Sequence, residues 1–264
     1  MTHRRTLAVT TLAAAATVTL TACSSSTPAA STTAPGSPAP VSGTVTVLAA
    51  ASLQDSFTTL GKQFQAAHPG TQVKLSFGAS SALAQQINQG APADVFASAA
   101  PTNMKQVTDA GGASAPKNFV KNVMEIAVPP SNPAKVGGLA DLARPGVKVA
   151  LCQPQVPCGA VAAQVFKNAQ VTVTPVTLEQ DVKSTLTKVQ LNEADAGVVY
   201  TTDVRAAGAK VTGIPIPADV NASTEYPIAA LSKAPNSAGA QAFVDYVLSP
   251  AGQTVLTAAG FEKP

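Results

Sequence analysis

Two spacings of apolar residues alternate along this chain from about residue 44 to its end. Val45, Val47 and Leu48 form a β-branched run that ends in small residues, and Leu53, Phe57, Leu60 and Phe64 follow at i, i+4, i+7 and i+11, one face of a helix. The same switch recurs. Strands are predicted near Val45 to Ala49, Val73 to Phe77, Val95 to Ser98, Val123 to Val128, Val147 to Leu151, Gly197 to Tyr200 and Ile228 to Leu231. Helices are predicted over Leu53 to Ala67, Ala82 to Gln89, Gly159 to Asn168, Val182 to Asn192, Ala238 to Leu248 and Ala251 to Ala259. Strand and helix in alternation are the pattern of an α/β protein with parallel sheets. The loops at 129–138 (PPSNPAKVGG) and 215–227 (PIPADVNASTEYP) are rich in breakers and read either as crossings between two lobes or as surface loops of one domain.

The first 43 residues follow neither spacing. Arg4 and Arg5 precede an uncharged apolar run, Thr6 to Leu20, and Leu20-Thr21-Ala22-Cys23 resembles the lipobox of bacterial lipoproteins. Residues 1–22 therefore read as a signal peptide, and Cys23 as the lipidated first residue of the mature chain. Residues 24–42 are Ser, Thr, Ala, Pro, Gly and Val, too small to bury enough surface to offset the entropy of ordering, so 23–43 reads as a tether. The implied location is the outer face of the cell membrane, held by lipid. The paired arginines are a weak signal for twin-arginine export.

From Thr44 about 220 residues remain, enough for one large or two small domains. Without Arg4 and Arg5 the net charge is +1, from 15 basic and 14 acidic residues. There is no basic run and no Trp, which excludes a nucleic-acid surface of the usual kind.

The candidate chemistry lies where strands run into helices. The sequence puts Ser52 at an N-cap after the first strand. Ser80 and Ser81 stand between the second strand and its helix, and Cys158-Gly159 opens the helix after Val147 to Leu151. Gly159 reads as room for backbone to approach a ligand. Asp181 reads as an ordinary N-cap, leaving Val182 only its backbone N–H to offer. Tyr200 brings a hydroxyl to the end of a buried strand. The first N–H groups of a helix lack intrahelical partners and carry the positive end of its dipole, so each such start can hold an anion. One alone is only a cap; several together are a site.

The segments AAASL, FGASSALAQQI, GAPADVFASA, VPCG, EQDV and GVVYTTD resemble the substrate-binding proteins of bacterial molybdate ABC transporters, collinearly from about residue 44 to 264. The resemblance implies a two-lobe periplasmic binding protein fold of type II, each lobe a mainly parallel sheet flanked by helices, with the oxyanion in the cleft between lobes. The lobes would be 44–121 plus 225–264, and 122–224. The ligand positions it implies are Ser52, Ser80, Cys158, Val182 and Tyr200, with the metal held only as its oxyanion, molybdate, through those same residues. At Cys158 this chain departs from the family's small residue, which leaves the N–H donor in place and puts the loop's shape in question. The implied partners are molybdate or tungstate, an ABC permease and its ATPase, with the protein a monomer and molybdate as cargo rather than cofactor. Capture would proceed by closure of the lobes on the ligand.

Molybdate carries no proton near neutral pH, so its site needs donors only, whereas a phosphate site often adds a carboxylate to accept the remaining proton. Sulfate meets the same requirement and differs in size. A binding protein of this fold for sulfate or another tetrahedral oxyanion is therefore the alternative reading. An exported enzyme with Ser52, Ser80 or Cys158 as nucleophile is the reading from another class. It lacks a base, since the sole histidine beyond the leader is His68, at the far end of the first predicted helix. Cys152 and Cys158 flank the turn-like Gln-Pro-Gln-Val-Pro. In an oxidising compartment a disulfide is favoured over two free thiols, and it would preorganise the third anion loop. Two cysteines without a third ligand do not make a zinc site.

Overall fold

A computed structural model describes residues 41–264. The elements in chain order are β1 (Gly43–Ala50), α1 (Gln54–Ala67), β2 (Thr71–Gly78), α2 (Ser80–Asn88), β3 (Val95–Ala97), α3 (Pro101–Asp109) and β4 (Lys117–Val128). The chain continues through β5 (Val149–Cys152), α4 (Pro157–Ala169), β6 (Thr177–Glu179), α5 (Val182–Gln190), β7 (Ala196–Tyr200), α6 (Thr201–Ala207), β8 (Thr212–Pro215), β9 (Ser223–Ala230), α7 (Ser237–Leu248) and α8 (Pro250–Ala258). All seven predicted strands and six predicted helices are present with shifted ends.

The strands line up as β2-β1-β3-β9-β4-β7-β5-β6, with β8 on the free side of β4. β1 is parallel to both β2 and β3, and β5 is parallel to both β6 and β7. β4 and β9 are antiparallel to each other and to β7, β8 and β3. Two parallel sets are thus joined through an antiparallel pair. The long strand β4 belongs to both: Lys117 to Val123 pair with β9, and Met124 to Val128 with β7 and β8.

Alternation along the strands divides the apolar side chains between separate cores. Val45 and Val47 of β1 meet Leu53, Phe57, Leu60 and Phe64 in a first core with Phe119, Tyr226, Phe243 and Phe261. Phe243 lies edge-on to Phe64 at 5.3 Å and to Phe57 at 6.0 Å between ring centroids, the geometry aromatic quadrupoles favour. Each such buried side chain stabilises the fold by about 1.5–3 kcal/mol relative to exposure. Leu48 and Phe96 point to the other face and pack with Leu83, Ile87, Met104 and Val107 under α2 and α3. A further core is built by Ile126, Val128, Val149, Val165, Leu186, Val189, Val198 and Val199.

Four elements escaped the sequence reading. α3 (PTNMKQVTD) carries only Met104 and Val107 on its apolar side, β6 and β8 are three- and four-residue edge strands, and α6 follows β7 without a loop. The breaker-rich passage 129–138 is no crossing: it leaves Val128 and returns to the same core through Val136 and Leu139. The chain changes core inside β4, and again between Ile216 and Tyr226.

Candidate functional site

The carboxyl ends of β1, β2, β5 and β7 and the helix starts near them surround one small cavity. Its lining includes Ser52, Ser80, Cys158, Val182 and Tyr200, so all five residues read from the sequence come together, with Ala50, Ala51, Gly78, Ala79, Ala99, Val156, Pro157 and Asp181. The volume is about 20 Å³. On the same scale a single water requires about 10–15 Å³, so the space suits one small ion. Wider grooves open beside it, one bordered by Ser52, Asp55, Thr202 and Arg205 and the other by Val156, Pro157, Ser223 and Thr224.

Each lining residue reaches the cavity for a local reason. Ser52 is not the N-cap its sequence position implied. Ala51–Leu53 form a 3₁₀ turn between β1 and α1, capped by Ala50, and the Ser52 hydroxyl makes a 2.9 Å hydrogen bond with the Tyr226 hydroxyl. The apolar run Ala49-Ala50-Ala51 is buried at the strand end, which carries the turn inward and leaves Ser52 7% exposed. Ser80 is the first residue of α2, two residues earlier than predicted, and its Oγ accepts a 2.9 Å hydrogen bond from the Ala99 N–H. Ser81 does not line the cavity.

At α4 the helix begins at Pro157, whose ring supplies the fixed φ of a first turn and whose missing N–H is no loss there. Cys158 is the second residue of that turn. Its sulfur is bonded to Cys152 Sγ, and a disulfide sulfur donates nothing, so the N–H is its only donor. Gly159 serves a different purpose from the one its sequence position implied. A Cβ there would stand 2.0 Å from the Gln153 carbonyl oxygen, so the missing side chain lets the helix start close onto its own loop rather than onto a ligand. At α5 the Asp181 carboxylate caps the helix, accepting from the Ser184 N–H at 2.8 Å. One oxygen of that carboxylate is taken by the backbone, and Val182 follows with its N–H unused by the helix.

Tyr200 ends β7, is 1% exposed, and its hydroxyl has no hydrogen-bond partner among the described residues. A buried hydroxyl left so is uncommon and costs about 1–3 kcal/mol, which marks it as a group kept for a partner from outside the chain. Burial raises the pKa of this phenol well above its ordinary value, with the neighbouring Tyr226 and Asp203 acting in the same direction. It stays protonated, a donor.

Charge stands just behind this wall. Lys183, next to Val182, lies 2.8 Å from Asp55 Oδ2 on α1 and 3.3 Å from Asp203 Oδ1 on α6. Burial works against its ammonium, but Asp203 and Asp55 together raise its pKa. Asp203 is fully buried, and desolvation lifts its pKa to about 6 in spite of Lys183 and of the Tyr200 N–H, which donates to Oδ2 at 3.3 Å.

Among the described residues no basic side chain lines the cavity. What faces it are hydroxyls and the first N–H groups of three helices, and these donors can hold an oxyanion through charge-assisted hydrogen bonds. Among the described residues no three His, Cys, Asp or Glu side chains are grouped so as to hold a metal cation. Of the residues that shape the site, Tyr226 and Asn122 were missed by the sequence reading. Both lie in the middle of strands whose sequences carry no loop or glycine signal, so only tertiary pairing reveals them.

The profile of the bacterial extracellular solute-binding proteins matches residues 45–262. The chain is 42% identical to the molybdate-binding protein ModA of Mycobacterium tuberculosis over 246 residues, 93% of each protein. It is 32% identical to the molybdate-binding protein ModA of Escherichia coli over 231 residues, 83% of this chain and 89% of that one. In structure it resembles the periplasmic molybdate-binding protein of Azotobacter vinelandii, with a TM-score of 0.72 at 22% identity over 83% of this chain and 99% of that one. The sulfate-binding protein SubI of Mycobacterium tuberculosis has the same TM-score, 0.72, at 19% identity over 83% of this chain and 86% of that one, so the fold is common to carriers of different names. The chain therefore has the type II periplasmic binding protein fold and belongs to the bacterial extracellular solute-binding proteins, the family that includes the molybdate-binding protein ModA.

Proposed function

We propose that the chain captures molybdate, and tungstate as its near-isostere, outside the cytoplasmic membrane and delivers it to an ABC permease with its ATPase. The observation that carries this reading is the cavity where, among the described residues, two serine hydroxyls, the unpartnered Tyr200 hydroxyl and three helix starts converge without a basic side chain. Ser52, Ser80 and Tyr200 bind through their hydroxyls, and Cys158 and Val182 through their N–H groups. A fully deprotonated tetrahedral dianion accepts from every one of them and returns no proton that needs an acceptor. The identity with two proteins named for molybdate supports that ion over sulfate.

The reading contains no catalytic step. Among the described residues no histidine or lysine lines the cavity to activate Ser52, the Asp181 carboxylate caps α5, and the sulfur of Cys158 is bonded to Cys152. The lobes in this proposal are 44–121 plus 225–264, and 122–224, and they close on the ion as a monomer. Gly43, which the sequence reading gave to the tether, already opens β1; Cys23 and the tether as far as residue 40 lie outside the described residues. Their proposed role is lipid attachment to the membrane, and Cys23→Ser would then release the protein into the medium.

Calorimetry of the chain from residue 41 with molybdate, tungstate, sulfate and phosphate tests the ligand. The expected result is tight and near-equal binding of the first two, weak binding of sulfate and little of phosphate. Sulfate binding as tight as molybdate would remove the assignment. Ser52→Ala is expected to weaken molybdate binding by about 1–3 kcal/mol with the melting temperature little changed, the cost of one lost donor to a buried ionic acceptor.

A further inference from the structure

Behind Ser52 lies a buried chain of hydrogen bonds whose direction can be worked out atom by atom. It begins at Asn122, in the middle of β4 and 1% exposed. The Val123 N–H donates to Asn122 Oδ1 at 3.1 Å, which identifies the oxygen end of that amide. The other end, Nδ2, is donor only; it reaches Thr202 Oγ1 at 2.8 Å and the Tyr226 hydroxyl oxygen at 3.4 Å. With its oxygen receiving from Asn122, the Tyr226 hydroxyl directs its own proton to Ser52 Oγ, at 2.9 Å the shortest of its hydrogen-bond contacts. Burial holds the Tyr226 phenol protonated, raising its pKa well above the ordinary value. Ser52 Oγ thus accepts from behind, and its proton is left for the cavity.

Ser80 is set in the same sense by other means. Its Oγ accepts from the Ala99 N–H, and a backbone N–H cannot reverse. Tyr200 is set differently: its buried hydroxyl has no hydrogen-bond partner among the described residues, which leaves its proton for a ligand. Of the three hydroxyls in the wall, Ser52 is the one whose direction rests on side chains.

We propose that Tyr226 and Asn122 are positioning residues that fix Ser52 as a hydrogen-bond donor towards the cavity, and that this fixed direction excludes oxyanions still carrying a proton. An ion such as hydrogenphosphate must donate somewhere. In this wall its proton meets another proton at each hydroxyl, and the carboxylate in the lining, Asp181, is held through Oδ1 as the cap of α5. Selection between a bare dianion and a protonated one of similar size is then set two residues behind the ligand, by an amide and a phenol that never touch it.

The proposal rests on the reading of the cavity as an oxyanion site, and the test separates the two. The quantity measured is the ratio of Kd for hydrogenphosphate to Kd for molybdate, by calorimetry or competition, at mildly alkaline pH where both are dianions. In Tyr226→Phe the Ser52 hydroxyl loses the proton it accepts and is free to turn a lone pair to the ligand. In Asn122→Asp the introduced carboxylate takes the Tyr226 proton, Ser52 then donates to the Tyr226 oxygen, and the chain runs backwards. The extra negative charge weakens both dianions alike and cancels from the ratio.

The ratio is expected to fall at least about tenfold in both variants, the effect of one charge-assisted hydrogen bond changing sign. Thermal melting identifies a variant that has lost the fold, and either variant that keeps it decides the matter. A ratio within threefold of the wild type in a folded variant that still binds molybdate overturns the positioning role and leaves the oxyanion site standing. Failure of the wild type to bind any oxyanion removes the site and this proposal together.

Discussion

Asp203 shows how a single residue can cost stability while holding a site together. It lies directly behind Tyr200, receives the Tyr200 N–H and faces Lys183, yet burial dominates and its pKa is lifted to about 6. In the unfolded chain the same carboxyl titrates near the ordinary value of about 3.9. Between those values the folded state binds more protons than the unfolded one, so this group's contribution to stability falls as pH rises through the window and recovers as pH falls. Urea unfolding of the wild type and of Asp203→Asn is expected to show the wild type gaining up to about 2–3 kcal/mol relative to the variant between about pH 7 and about pH 4. Lys183 stays charged throughout that range and adds no slope. A constant difference between the two proteins would mean that the carboxyl titrates normally. Nothing in the sequence marks this residue: Asp203 reads as a first-turn acid on a helix that the apolar spacing did not predict, and its burial follows only once α6 packs behind the cavity.

At the scale of elements, the strand-to-helix junctions were the legible part of the chain. β-branched runs give way to small and hydroxyl residues at Ser52, Ser80 and Tyr200, and those junctions are where the cavity forms. Less legible was the manner in which each junction presents its donor. The spacing of Leu53 and Phe57 fixes the face of α1 but cannot distinguish an N-cap serine from one inside a 3₁₀ turn, because both place the same apolar residues inward. Gly159 was misread for a similar reason: the sequence shows that backbone approaches closely there, and only the fold shows that the approaching group is the Gln153 carbonyl. The α4 junction also carries the Cys152–Cys158 bridge, which closes a short loop. Loop-closure entropy for six or so residues gives about 2 kcal/mol. Cys152→Ser with Cys158→Ser is expected to lose about that much stability in denaturant titration and to weaken oxyanion binding severalfold, since the Cys158 N–H is no longer held in place. Unchanged affinity in the double variant would show that the helix start is ordered by Pro157 and Gly159 alone.

At the scale of the molecule, the crossing points matter most. The breaker-rich loops read either as crossings or as surface loops, and one of the two, 129–138, serves a single core. The chain changes core inside β4, a continuous strand whose apolar pattern carries no break, close to the boundary at 121/122 that the resemblance implies. Closure on a ligand, if it bends the molecule there, would twist a paired β-ribbon rather than swing a loose linker. The ion pair from Lys183 on α5 to Asp55 on α1 spans the same divide, with Asp55 largely exposed and the pair worth no more than about 1 kcal/mol. Small-angle scattering is expected to show the protein contracting on addition of molybdate, with Lys183→Met less contracted at the same subsaturating concentration. Identical profiles with and without ligand would rule out closure.

The two principal cores also differ in how the chain supplies them. The one around Val149 and Val198 draws almost wholly on residues 124 to 216, a single uninterrupted stretch. The one around Phe57 and Phe64 needs the start of the described chain and its last forty residues, since Tyr226, Phe243, Leu256 and Phe261 all belong to it. During synthesis, β1 and α1 emerge early and wait for β9, α7 and α8, while the middle of the chain already holds what it needs to collapse. The first core is thus complete only after the middle of the chain has been made, and the Tyr226 side of the Ser52 contact is synthesised long after the serine itself.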